Sequence, residues 1–310
     1  MRTTLDCLVC FVRQSRAAGL LATDDPSLQR RMINGAGRLL GVLDPLLSPP
    51  ENAVALYGLF SEILQDDDPF AQVKEESNRF ALDLRDEMAQ RIAAAADPLY
   101  AAVRTAIGGN IIDYAAQHVF DAKKTMDECL EREFIIDQYP ALLRELTAIP
   151  SPDILYLCDN CGEIVFDGLL IRELQQRNCR VTAAVRGRPI INDATLEDAR
   201  TCGLDQICPV ITNGTGCPGT PLARCSSGFL EHFHRADIII SKGMGNYETL
   251  SEEDAPIFFL FTVKCSEVAA HVTKRKQLAR GSLAGKGEMI FMRQQDEELP
   301  VKPAMPAKKL

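Results

Sequence analysis

Five short apolar runs, at residues 154–157, 181–185, 206–210, 237–241 and 257–263, alternate with stretches of helical periodicity at 162–176, 195–201, 224–234 and 265–278. Strands spaced by helices in this way bury both faces as a mostly parallel sheet covered by helices. A further apolar run at 288–292 adds a last strand.

The preceding half has little β-branched alternation and reads as helix after helix. Residues 5–20 are amphipathic, Asp25-Pro26-Ser27 caps a segment reaching Leu40, and helices are expected at 52–64, 68–88, 98–107 and 110–122. Residues 125–142 read as one more mixed helical stretch before the break Ala148-Ile149-Pro150-Ser151-Pro152. The expected organisation is a helical domain over 1–150, an α/β domain over 151–298 and a flexible tail over 299–310.

With 310 residues, 46% hydrophobic, and a net charge of −9 at a pI near 5.1, the chain is an ordinary globular protein with no general attraction for nucleic acid or anionic membrane. An anionic ligand must therefore meet local cations. Residues 1–19 carry Asp6, Arg13 and Arg16 around a short apolar core and show neither signal peptide nor anchor, which reads as cytoplasmic. Eleven cysteines in so long a chain are better read as reduced thiols than as disulfide staples. Two Cys-x-x-Cys pairs, Cys7/Cys10 and Cys158/Cys161, could together supply zinc with four thiolates. Cys158 and Cys161, at a strand end and a helix start, are expected to be structural. Cys7 and Cys10 share one helix face, where half-burial and a metal or redox role both fit.

The chemistry concentrates at the strand ends. Cys158-Asp159-Asn160-Cys161-Gly162-Glu163 lies where the first apolar run stops and a helix begins, the position at which open α/β sheets bind ligands. The oxygen donors Asp159 and Asn160 suit a hard cation, with a phosphate beside it at a helix start. The other strand ends carry Arg186 to Thr195, with Asn192 and Asp193; Ser241 to Glu248, with Lys242; and Thr262-Val263-Lys264. In a parallel sheet all of these face one crevice, and Lys242 and Lys264 are the cations a phosphate needs. Gly243-x-Gly245 lacks the third glycine of a nucleotide fingerprint and is read as a tight, backbone-exposing loop, while Gly214-x-Gly216 marks a pocket rim.

Taken together, Asp159-Asn160-x-Gly162-Glu163, Asn192-Asp193-Ala194-Thr195, Lys242-Gly243-x-Gly245-Asn246-Tyr247-Glu248, Lys264 and Gly109-Asn110-x-x-Asp113 resemble the metal-dependent damage-control phosphatases, first described as domain of unknown function 89. The early Cys7-x-x-Cys10 resembles their short, mainly prokaryotic branch. The resemblance spans nearly the whole chain and implies an all-helical amino-terminal domain joined to a three-layer α/β/α domain. It implies a divalent cation, manganese, cobalt, nickel or magnesium, held by Asp159, Asn160 and Asp193. It further implies Lys264 on the phosphoryl group, and Asn110, Asp113, Asn246 and Glu248 lining the substrate site with Glu163 nearby. The implied activity is hydrolysis of small phosphorylated metabolites such as sugar phosphates, nucleotides or damaged cofactor intermediates. In that reading a metal-activated water attacks phosphorus while Lys264 and the amides of Gly162 and Glu163 hold the remaining oxygens. Direct attack by Asp159 ranks second, since a metal-bound carboxylate is a poorer nucleophile. Two other classes compete: an S-adenosylmethionine-dependent methyltransferase, which would leave Lys264 without a task, and a zinc- or thiol-dependent protein built on Cys7.

Overall fold

A computed structural model describes residues 1–109 and 131–295 of the chain. Five helices come first: α1 (Leu5–Ala22), α2 (Pro26–Leu39), α3 (Pro49–Leu64), α4 (Ala71–Ala94) and α5 (Pro98–Gly108). Three of them start on a proline, whose fixed φ suits the first helical position. Asp25 accepts the Ser27 N–H at α2, Ser48 and Glu51 form a capping box at α3, and Asp97 accepts the Tyr100 N–H at α5.

The remaining elements are β1 (Phe134–Asp137), α6 (Tyr139–Ala148), β2 (Asp153–Leu157), α7 (Glu163–Gln175), β3 (Arg180–Val185), α8 (Leu196–Thr201), β4 (Val210–Thr212), α9 (Ser227–Arg235), β5 (Ile238–Lys242), α10 (Met244–Leu250), β6 (Ile257–Val263), α11 (Ser266–Arg275) and β7 (Glu288–Arg293). The strands form one seven-stranded sheet in the order β1-β7-β6-β5-β2-β3-β4. Every pairing is parallel except β6 with β7.

Alternation along the strands separates two cores. Ile154 and Tyr156 of β2, with Phe258 and Leu260 of β6, face α4, α5 and α7. Leu155 and Leu157, with Phe259 and Phe261, face α9, α10 and α11. A third core, built on Phe11, Met32, Leu56 and Phe60, holds α1, α2 and α3 together and takes in Ile190 from the loop after β3.

This is the expected α/β/α architecture, with three local differences. Phe134–Asp137, inside the stretch read as helical, is an edge strand whose exposed and buried residues alternate. The strand expected at 206–210 lies at Val210–Thr212 (β4), because residues 204–206 form a turn of 3-10 helix. Helices α4 and α5 pack on α7 and share the core of the sheet, so the α/β layers draw on residues well before Pro150. The helix read at 110–122 and the tail at 299–310 lie outside the described residues. Among the described residues, no helix is long and apolar enough to cross a membrane.

Strand order also locates the crevice. From β2 the chain steps outward through β3 and β4, then returns to β5 on the other side of β2 and continues to β6. The carboxyl ends of β2 and β5 therefore flank a topological switch point, where neighbouring loops part in opposite directions.

Candidate metal centre

Two loops are fastened together at that switch point. Asn160 and Asp193 form an isolated antiparallel bridge, flanked by Cys161 N–H on the Asn192 carbonyl (2.8 Å) and Ala194 N–H on the Asp159 carbonyl (2.8 Å). The loop after β2 is thus held against the loop after β3, and Asp159, Asn160 and Asp193 are brought into one cluster. Asn160 donates its Nδ2 to Asp159 Oδ2 (3.0 Å) and to Glu163 Oε2 (3.5 Å).

A residue not singled out from the sequence stands between the two acids. Arg186, just beyond β3 and 2% exposed, donates Nε to Asp193 Oδ2 (2.5 Å), Nη2 to Asp159 Oδ1 (3.3 Å), and Nη1 to Asn246 Oδ1 (3.0 Å) and Thr220 Oγ1 (3.3 Å). Burial and the neighbouring carboxylates of Asp193 and Glu163 push the Asp159 carboxyl well above the usual range, against the pull of Arg186. Burial raises Asp193 as well, opposed by Arg186.

Beneath this pair, Lys242 is 0% exposed and binds Glu163 Oε1 (2.5 Å), Asp167 Oδ1 (2.6 Å) and the Ala106 carbonyl (2.8 Å). Tyr156 donates to the same Asp167 oxygen at 2.6 Å. Three of the residues expected to bind substrate are buried here and engaged with other protein groups. Lys242 is spent on two carboxylates, Glu163 is buried on Lys242, and Asn246, itself 0% exposed, bridges Arg186, Thr220 and the Lys242 carbonyl. These three residues hold the site together from inside. The Gly162 amide is likewise engaged, its N–H going to Asn78 Oδ1 of α4 at 2.7 Å.

The other expected residues lie at an adjoining cavity of about 640 Å³ between α1, α3 and the ends of β5 and β6. Lys264 is exposed on its wall, with Glu248, Arg13, Cys7, Cys10 and Cys265. Ile191 and Met244 also line it, and they adjoin Asn192-Asp193 and the Gly243 that packs on Asp159. The rim read at Gly214-x-Gly216 lines a second cleft of about 330 Å³ with Tyr57 and Arg188. Asn110 and Asp113 lie outside the described residues.

Glu248 is half-buried, and enclosure of its carboxyl pushes the pKa up to about 7, with the Met1 ammonium pulling the other way. An acid with a raised folded pKa stabilises the fold fully below its unfolded value, near 4.5, and loses that contribution as pH rises to about 7. Glu248→Gln is expected to remove this slope. Between pH 5 and 7 the wild type should lose on the order of 2 kcal/mol more than the variant by denaturant titration.

Cys158 and Cys161 are buried, as their structural reading requires. Among the described residues, no three His, Cys, Asp or Glu side chains converge as a metal cage, so the thiol-zinc arrangement is not assembled. The cluster at the switch point has a different donor set, two carboxylates and an amide, which is the hard-oxygen chemistry of a magnesium- or manganese-type ion. It also fits such an ion by charge. Four carboxylates, Asp159, Asp193, Glu163 and Asp167, face two cations, Arg186 and Lys242, so the fully ionised buried cluster lacks two positive charges.

Fold and site together define an α/β/α protein with a buried, oxygen-rich anionic centre at the switch point of its sheet. The sequence profile of the damage-control phosphatase ARMT1-like domain matches residues 3–278, and the chain belongs to that family. The chain is 36% identical over 278 residues to damage-control phosphatase PH1575 of Pyrococcus horikoshii, covering 87% of this chain and 93% of that protein. A damage-control phosphatase of Archaeoglobus fulgidus is 34% identical over 271 residues, covering 86% and 93%. The crystal structure of the Pyrococcus horikoshii protein, described as a DUF89 family protein, superposes with a TM-score of 0.84 at 33% identity, covering 95% of this chain and 100% of that one.

Proposed function

We propose that the protein is a metal-dependent phosphatase that releases phosphate from small phosphorylated metabolites. The observation that carries this reading is the buried switch-point cluster, in which four carboxylates face two cations, so that one divalent cation would neutralise its fully ionised form. Asp159, Asn160 and Asp193 would hold the ion, and the phosphatase names of the relatives support the phosphatase part of the reading. When bound, the metal supplies the charge that neutralises a phosphate and activates water against it.

The chain's own residues do the rest. Arg186 and Asn160 orient the acids, Lys264 meets the phosphoryl group from the cavity wall, and the 640 Å³ space with Glu248 and Arg13 receives the organic part of the substrate. Water is favoured over Asp159 as nucleophile. Asp159 Oδ1 accepts from Arg186 and Oδ2 from Asn160, and the carboxylate lies against the Gly243 backbone, so it is held in place as a ligand and is not poised to attack phosphorus.

The test is phosphate release from a panel of sugar phosphates, nucleotides and phosphorylated cofactor fragments, after chelation and after adding back manganese, cobalt, nickel or magnesium. Release should vanish with chelator and return with metal. Release unaffected by exhaustive chelation would refute the metal, and a folded protein inactive on every substrate with every metal would refute the phosphatase.

A further inference from the structure

Arg186 places an unusual constraint on the two acids. Its Nε and Nη2 form the edge of the guanidinium that ordinarily grips both oxygens of a single carboxylate. Here the fork is divided, with Nε on Asp193 Oδ2 (2.5 Å) and Nη2 on Asp159 Oδ1 (3.3 Å). One oxygen of each carboxylate is thereby committed to the arginine. The third nitrogen is anchored on Asn246 and Thr220, so the guanidinium is held from both sides in a buried slot.

We infer that Arg186 is a positioning residue that sets metal selectivity, by confining Asp159 and Asp193 to one metal-facing oxygen each and so favouring a small six-coordinate cation over calcium. The inference rests on the metal reading given above. Calcium takes six to eight oxygens and commonly uses carboxylates through both, whereas magnesium and the first-row ions accept six ligands and keep several positions for water and substrate. Two single carboxylate oxygens and one amide oxygen suit the second class. With the arginine withdrawn, Asp193 can turn both oxygens to the ion and Asp159 regains its Oδ1 while Oδ2 stays beside Asn160, and the added oxygens satisfy calcium.

Arg186→Lys keeps the charge but cannot reach both acids with one planar fork. Thr220→Ala removes one anchor of the guanidinium while touching neither carboxylate. Manganese and calcium affinities would be measured by calorimetry on metal-stripped protein, with circular dichroism confirming the fold. The wild type is expected to bind manganese at least about tenfold more tightly than calcium. Arg186→Lys should shrink that ratio about fivefold or more, and Thr220→Ala should shift it less in the same direction. A general loss of packing would weaken both ions alike and leave the ratio alone. An unchanged ratio in the folded variants, or a wild type that prefers calcium, overturns the inference. A wild type that binds neither ion overturns the metal reading and this inference with it. Should Arg186→Lys not fold, Thr220→Ala decides: an unchanged ratio there overturns the assignment as well.

Discussion

Gly243→Ala is expected to cost the protein at least about 10²-fold in phosphate release and in manganese affinity while leaving most of its fold intact. Gly243 joins β5 to α10 with φ +80° and ψ 161°, a region open in practice to glycine alone. A Cβ there would lie 1.9 Å from Asp159 Oδ2 and 2.2 Å from its Cγ. Both groups cannot occupy that space, and the backbone side of the contact is fixed by the Gly243 N–H on the Leu260 carbonyl. The Asp159 carboxylate must therefore move, taking it off Arg186 and Asn160. Backbone strain adds about 1–3 kcal/mol. Gly203→Ala separates the two effects, because Gly203 also has a positive φ, +72°, but a Cβ there meets nothing within 4 Å. That variant should lose stability without losing metal affinity. Wild-type manganese binding in Gly243→Ala, by calorimetry, would show that the glycine is not needed for the site.

The constraint at Gly243 illustrates which parts of the site are legible in a sequence. The strand-end positions of Asp159, Asp193 and Lys264 follow from hydrophobic runs and the parallel arrangement they impose, and the structure puts Asp159 and Asp193 in one cluster. The inward or outward direction of a strand-end side chain does not follow from such runs. Lys242 and Lys264 both end apolar strands, yet Lys242 is buried on two acids and Lys264 is exposed at a cavity. A signal for Lys242 was present in α7. Glu163 and Asp167 lie four apart in a helix otherwise apolar on its sheet side, and two acids on one buried face require a cation. Arg186 carried a similar signal, as a charged residue directly after the apolar β3 and before Gly187, but it reads equally well as a solvated loop residue. Phe134–Asp137 was hidden by its length. Four residues hold a single alternation, and the strand is defined by its partner β7 more than 150 residues on. Cys7 and Cys10 show the opposite case, since helical spacing placed them on one face and the structure sets both on the wall of the cavity that holds Lys264.

The buried charges below the site lead to the second large effect. Lys242→Met should lower stability by about 3–5 kcal/mol at neutral pH, the usual consequence of removing one partner of a buried ionic group. Methionine fills much of the same volume, so the loss would come from charge. Glu163 and Asp167 would then face each other without their shared cation, with the Tyr156 hydroxyl still on Asp167 and Asn160 on Glu163. Even with Lys242 present, burial pushes the Asp167 carboxyl up to about 6. Without the ammonium, Asp167 would bind a proton still more readily in the folded state than in the unfolded one. The deficit should then be largest above the folded pKa and shrink as pH falls through it towards the ordinary carboxylate range. Combining Lys242→Met with Glu163→Gln and Asp167→Asn removes the uncompensated charges by substitution, and should recover most of the lost stability at pH 7.5. Denaturant titrations of the three proteins at pH 5 and pH 7.5 distinguish this account from loss of packing. If the Lys242→Met deficit is the same at both pH values and persists in the triple variant, the ammonium contributes through shape and not through charge. If it behaves as expected, the triple variant becomes a probe of the metal centre. It would keep Asp159, Asp193 and Arg186 while two anions and one cation are removed from beneath them, and its weaker manganese binding would measure how much of the attraction for a divalent ion comes from the second layer of charge.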